Sequence, residues 1–224
     1  MNRPLIIAHR GASGMALENS LEAFRRAIAL DVDGLELDFH ATLDGELVVH
    51  HDPALPGAGL IGGMRAAEVA GFPLEDGFPA PLLSQVLALG PACDYYLEAK
   101  GLPERADRHL LDLIAATGFA DRVHVHAFDH RIIARLHRKA ASLSLGVLSA
   151  SVPVDPVAPV LAAGATTLWQ AAELIDKELV DQCLAGGVDV IAWTVNESAE
   201  ARRLGELGVA GLCGNWPDRL RLGR

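Results

Sequence analysis

Short apolar runs recur along this chain, and longer stretches of mixed polar and apolar residues lie between them. The runs occupy residues 5–8, 35–39, 95–99, 123–127, 145–148, 166–169, 190–195 and 211–214. Each has the length of a strand and is too short for a buried helix. The stretches at 18–30, 104–116, 130–141, 156–163, 176–185 and 198–207 carry the spacing of amphipathic helices. Strand and helix alternate, so the strands are expected to run parallel through right-handed crossovers. Eight such units predict an α/β fold closed into a (β/α)8 barrel of the TIM type. A doubly wound open sheet is the other arrangement this alternation allows. Such a sheet normally has a glycine-rich loop after its first strand. Here the loop reads His9-Arg10-Gly11-Ala12-Ser13-Gly14.

Turn chemistry agrees with these elements. Asn19-Ser20 precedes the first helical stretch and can cap it. Gly118, Gly164, Gly186-Gly187 and Gly208 stand where helices should close. The connection at about 40–94, between the second and third strands, is too long for a plain loop and should hold structure of its own. Within it, Asp44-Gly45 lies between apolar flanks and predicts a tight turn. The resulting hairpin would fold His51 back over the barrel mouth. Residues 81–89 then read as a helix leading into the third strand.

Composition narrows the function. The 224 residues, half of them hydrophobic, suffice for one barrel domain spanning 1–224. The net charge of −10, with no basic stripe, argues against nucleic acid and against anionic membrane surfaces as partners. An anionic small-molecule substrate would need a metal or a few well-placed cations. Cys93, Cys183 and Cys213 are odd in number and far apart, which suggests buried thiols rather than disulfides or a zinc site. The apolar run near the start is too short for a signal peptide, and no stretch is long enough to span a bilayer. A cytoplasmic setting is the expectation.

In a barrel of this type the chemistry gathers at the C-terminal ends of the strands. Glu36 and Asp38 are two apart on the second strand and should share its inner face; Glu98 and Lys100 repeat the spacing on the third. Buried like charges need compensation. Three hard carboxylates on adjacent strand ends suit Mg²⁺ or Ca²⁺, whereas the plainer reading is a rim of salt bridges such as Glu36–Arg10 and Glu98–Lys100. His9 is followed by Arg10, a cation suited to bidentate phosphate contact. Two imidazoles, His9 and His51, could serve one phosphodiester as proton acceptor and donor. His50 alternates with His51, so only one faces the mouth, and Asp52 favours His51 as the one it orients. His124 and His126 share a face and, if Ala127 points into the mouth, lie beneath the helices in structural roles. Gln170 is read as a hydroxyl contact or as a loop polar residue. Trp169 and Trp216 read as packing residues or as an apolar wall beside a polyol. Asn215-Trp216-Pro217-Asp218 reads as the start of a helix.

Taken in order, His9-Arg10-Gly11, Glu18-Asn19-Ser20, Glu36-x-Asp38, Thr42-x-Asp44-Gly45, Val48-Val49-His50-His51-Asp52, Glu98-x-Lys100 and Trp193-Thr194-Val195-Asn196 resemble the signature of the glycerophosphodiester phosphodiesterases. The resemblance implies a TIM-type barrel, a divalent cation (Mg²⁺ or Ca²⁺, with Mn²⁺ also fitting), and hydrolysis of a glycerophosphodiester to glycerol 3-phosphate and an alcohol, within lipid and glycerol metabolism. By matching position it implies His9 and His51 as the acid–base pair and Glu36, Asp38 and Glu98 as metal ligands. Arg10 and Lys100 would hold phosphate, Glu18 would sit by the metal or steady Arg10, and Trp193 would wall the glycerol side. The chain departs from the family pattern at Ala54-Leu55-Pro56-Gly57 and at Ala127-Phe128, both on the substrate mouth. Two competing functions share the fold: a lyase-like phosphodiesterase that releases a cyclic phosphate, and a non-catalytic phosphate- or polyol-binding barrel.

Overall fold

The computed structural model describes residues 3–221. Its strands are β1 (Leu5–Ala8), β2 (Gly34–Ala41), β3 (Leu47–Val49), β4 (Ala54–Leu55), β5 (Gly59–Leu60), β6 (Asp94–Gly101), β7 (Val123–Ala127), β8 (Ser144–Ser149), β9 (Thr167–Ala171), β10 (Asp189–Trp193) and β11 (Gly211–Gly214). Strands β1, β2, β6, β7, β8, β9, β10 and β11 pair in parallel in that order. The ring closes because β1 pairs with both neighbours, Ile7 opposite Cys213 on one side and Gly34 on the other. The helices are α1 (Leu21–Ala29), α2 (Ala66–Val69), α3 (Leu83–Leu87), α4 (Asp107–Ala116), α5 (His130–Lys139), α6 (Ala158–Ala162), α7 (Lys177–Ala185) and α8 (Ser198–Leu207). The structure is the expected (β/α)8 barrel.

Alternation along each strand makes two apolar layers. One set of side chains, among them Leu35, Leu37, Leu97, Val125, Val147 and Leu168, packs outward beneath the helices. The other set, Ile7, Tyr96, Leu148, Trp169, Ile191 and Cys213, fills the barrel interior. Strand β2 is buried along all eight residues because both its faces are covered. Local caps fix the helix starts. Ser20 Oγ accepts from Ala23 N at 3.1 Å on α1, and Asp176 caps α7. Helix α8 stops at Gly208, which takes φ 94° at no steric cost. Among the described residues no helix is long and apolar enough to cross a membrane.

The insertion between β2 and β6 holds more structure than the sequence predicts. Its first part is the expected hairpin. Strand β3 runs antiparallel to β2, with Phe39 opposite Val49, across a turn in which Gly45 N donates to Thr42 O at 3.1 Å. A two-stranded ribbon (β4 with β5) and α2 follow, and they enclose a small core of Val48, Leu55, Ile61, Val69 and Ala80. Three other elements differ from expectation. The 104–116 stretch opens with a 3-10 turn at Glu104–Ala106, and α4 follows from Asp107, which pairs with Arg135 and Lys139. The strand expected at 190–195 ends at Trp193. The segment after β11 makes a single 3-10 turn, Pro217–Leu220, in place of a helix.

Candidate active site

The C-terminal strand ends surround a cavity of about 140 Å³ lined by His9, Arg10, Glu36, His51, Glu98 and Lys100 together with His126, Phe128 and Trp193. The larger groove of about 790 Å³ along α4 and α5 gathers no buried titratable group. Parity explains the convergence. Asp38 lies opposite Glu98 across the β2–β6 pair, and Glu98 lies opposite His126 across β6–β7, so their side chains share the interior face.

His9 is half-buried just past the end of β1. Its Nδ1 lies 2.6 Å from Asn215 Oδ1, and Ser13 Oγ lies 3.1 Å from the same oxygen. The Asn215 backbone N–H in turn donates to Asn196 Oδ1 at 2.9 Å. An amide oxygen can only accept, so Nδ1 carries the proton and Nε2 keeps its lone pair, 4.0 Å from Glu36 Oε2. Burial, and then the charge on Arg10, push the His9 pKa down to about 4, so the ring is neutral at neutral pH. Arg10, the next residue, adopts φ 55°. Its backbone N–H donates to Glu36 Oε2 at 3.0 Å, Nη1 meets both Glu18 oxygens at 2.8–2.9 Å, and Nε lies 3.1 Å from Asp38 Oδ2. Glu18 therefore steadies Arg10.

The carboxylates divide into two kinds. Glu36 is pushed well above the carboxylate range by burial and by the neighbouring Asp38 and Glu98. Glu98 is raised by burial and by Asp38, although Lys100 Nζ sits 2.8 Å from its Oε1. Asp38 is fully buried, which alone would raise it, yet Lys100, Arg10 and Asn19 together hold it below the usual range. Asn19 clamps it twice, Nδ2 to Oδ2 at 2.8 Å and Oδ1 from the Asp38 backbone N–H at 3.2 Å. The salt-bridge rim is thus real for Asp38 and Glu98, and Glu36 has only a backbone donor.

One sequence expectation needs correction. His126 does not lie beneath the helices. Val123, Val125 and Ala127 form the helix-facing set, so His126 points into the barrel, stacked on Trp169 with ring centroids 4.1 Å apart. Its Nε2 is 3.9 Å from Glu36 Oε1, and burial pushes its pKa down to about 3. A Cβ on Gly146 would come within 2.9 Å of Trp169, so the bare glycine makes room for this stack. The Val-His-Val-His-Ala alternation carried that information. Gln170 faces away from the mouth and donates to Ser151 O at 3.1 Å, which makes it a loop support. His124 stays structural, stacked on Tyr96 and 3.5 Å from Asp94 Oδ2. Trp216 packs over Gly14 and under Arg219. Sequence reasoning also missed Asn215 as the His9 partner.

His51 reaches the cavity from the insertion, as the hairpin predicted, with Nδ1 2.8 Å from Asp52 Oδ1. His50 turns away and its Nδ1 faces Asp52 O at 3.0 Å. Trp193 meets Phe128 edge to face at 5.5 Å, and the pair forms an apolar lip. A second, wider groove of about 760 Å³ shares His51 with the inner cavity and opens between Glu18, Leu55 and Phe72.

The residues fit a divalent cation. Glu36, Glu98 and His126 each offer a donor atom within 4.8 Å of the others. Asp38 Oδ1 is buried beside them without a hydrogen-bond partner, with Lys100 Nζ 3.3 Å away as its counter-charge. Burial and mutual repulsion that oppose ionisation of two carboxyls are what a doubly charged ion relieves.

The glycerophosphoryl diester phosphodiesterase family model matches residues 9–219. A glycerophosphodiester phosphodiesterase of Caldanaerobacter subterraneus subsp. tengcongensis is 31% identical over 97% of this chain and 96% of its own. The crystal structure of a glycerophosphodiester phosphodiesterase from Parabacteroides distasonis superposes with a TM-score of 0.87 at 23% identity, covering 98% and 96% of the two chains. An Oleispira antarctica phosphodiesterase in complex with the product sn-glycerol-3-phosphate shares the fold at a TM-score of 0.84 and 20% identity, covering 98% and 96%. This chain belongs to the glycerophosphoryl diester phosphodiesterase family.

Proposed function

We propose that this protein hydrolyses a glycerophosphodiester to glycerol 3-phosphate and an alcohol, using His9 and His51 as acid–base pair and a divalent cation. The observation that carries this reading is the meeting of three imidazoles, two cations and buried carboxyls on one cavity of about 140 Å³. That space suits a phosphate and its glycerol, and the wider groove beyond His51 receives the departing alcohol. Arg10 and Lys100 orient the phosphate oxygens and offset their charge. His9, neutral and proton-bearing only at Nδ1, takes the proton of the attacking water at Nε2 as oxygen bonds to phosphorus. The bond from phosphorus to the alcohol oxygen breaks, and His51, oriented by Asp52, gives that oxygen a proton. Trp193 and Phe128 wall the glycerol side. Glu36 and Glu98, with Asp38 or His126, would hold the Mg²⁺, Ca²⁺ or Mn²⁺ ion. The ion would supply positive charge against the phosphoryl oxygens.

The test is turnover of glycerophosphocholine in ¹⁸O-labelled water, with added cation and with EDTA. We expect one solvent oxygen in the glycerol 3-phosphate, loss of turnover in EDTA, and a fall of roughly 10²–10⁴-fold for His9→Ala and for His51→Ala. A first phosphate product without label would point instead to a cyclic phosphate. Silence with every cation and diester tried would leave a binding barrel.

A further inference from the structure

We infer that His40, a residue with no place in the acid–base pair, is a positioning residue that sets where His51 delivers its proton. This rests on the hydrolytic reading above. His51 follows β3 on a turn that has left the sheet, and its side chain is about one-third exposed. Its own packing does not fix it. The turn is tied to the barrel at two points. The His50 backbone N–H donates to Asp38 O at 3.1 Å, and His40 Nε2 lies 3.1 Å from His51 O. A carbonyl oxygen only accepts, so His40 must carry its proton on Nε2 and donate it.

His40 is built for this contact. It is 7% exposed, where an idle imidazole would be costly. It lies just past the register shift between Phe39 and His40, which re-aims the end of β2. Its partner across the strand is Gly101, and a Cβ there would sit 3.2 Å from His40 Nδ1. Gly101 therefore leaves the space the ring occupies. Asp52 orients the His51 ring, and His40 sets the height of the backbone that carries it.

The prediction separates positioning from simple support. An alkyl alcohol leaves as a poor anion and needs the proton of His51, whereas p-nitrophenolate does not. We expect kcat of His40→Ala on glycerophosphocholine to fall about 10²-fold, the scale of an ångström of misplacement. On the p-nitrophenyl diester of glycerol 3-phosphate it should stay within about threefold of the parent, with KM little changed on both. His40→Gln keeps an N–H donor and should restore most of the alkyl activity. Gly101→Ala, which presses on the ring, should give the same split between substrates on a smaller scale. Equal losses on both substrates, or no loss on the alkyl diester, would overturn the assignment. Should His40→Ala not fold, Gly101→Ala still decides it by that split, with His40→Gln expected near the parent on both diesters. A parent chain inactive on both diesters would sink the hydrolytic reading itself, and the role of His40 with it.

Discussion

At the scale of single residues, the site depends on which nitrogen of His9 carries its proton. Asn215 decides this, because its Oδ1 accepts from Nδ1 at 2.6 Å and its backbone is held by Asn196. Removing the amide in Asn215→Ala lets the ring invert and present an N–H to the cavity. We expect kcat to drop by roughly 10²-fold, while the melting temperature moves little, since one such hydrogen bond contributes about 1 kcal/mol. Near-parental kcat in that variant would separate the tautomer from the chemistry. Many of the cavity residues were legible in the sequence for a geometric reason. Glu36 and Asp38, like Glu98 and Lys100, are two apart on strands, and such spacing puts both members on one face. Asn215 and His40 were not legible, because their roles come from a loop meeting β1 and a turn meeting β2, which no local spacing encodes. His126 was misread because Ala127 was assumed to face the mouth, although the valines beside it already marked the helix side.

At the scale of elements, α4 and α5 are joined by a buried acidic clamp at the foot of the loop that follows β6. Asp107, fully buried, receives Arg135 on both oxygens at 2.7 and 2.8 Å and Lys139 at 2.8 Å. Burial would raise its pKa, but those bonds outweigh it and hold the group below its model-peptide value of 3.8. A carboxyl depressed in the folded state adds stability above its unfolded pKa and loses it as pH falls through the folded one. Asp107→Asn should therefore cost about 1–3 kcal/mol at pH 7, the range for a buried charged partner left unmatched. The gap from the parent protein should close below about pH 4. Urea midpoints for both proteins across that range check it. A gap that stayed constant with pH would mean the clamp contributes packing and not charge. The helical stretch expected at 104–116 returns in full, its first turn as the 3-10 turn Glu104–Ala106.

Across the whole molecule, the barrel was readable because all eight apolar runs returned as parallel strands, with closure supplied by β1 pairing to β2 and β11. The insertion was less so, since its ribbon and small core depend on short contacts among Val48, Leu55 and Ile61 rather than on any period. Closure has a consequence for the proposed cation. Glu36, Glu98 and His126 come from β2, β6 and β7, three neighbouring staves of one ring. An ion bound there links those staves and relieves the burial and repulsion that raise Glu36 and Glu98. Because the unfolded chain offers no such cage, binding adds to stability. At a hundredfold excess over its dissociation constant the ion should contribute about 2.7 kcal/mol. For a chain of this size that corresponds to a rise in melting temperature of roughly 5–10 °C over the EDTA-treated protein. Glu98→Gln should shrink the rise, because it removes one oxygen donor from the three-strand bridge, and a conservative change on the outer wall should leave it intact. Melting curves with Mg²⁺, Ca²⁺ or Mn²⁺ that match those in EDTA would show that no ion joins the staves.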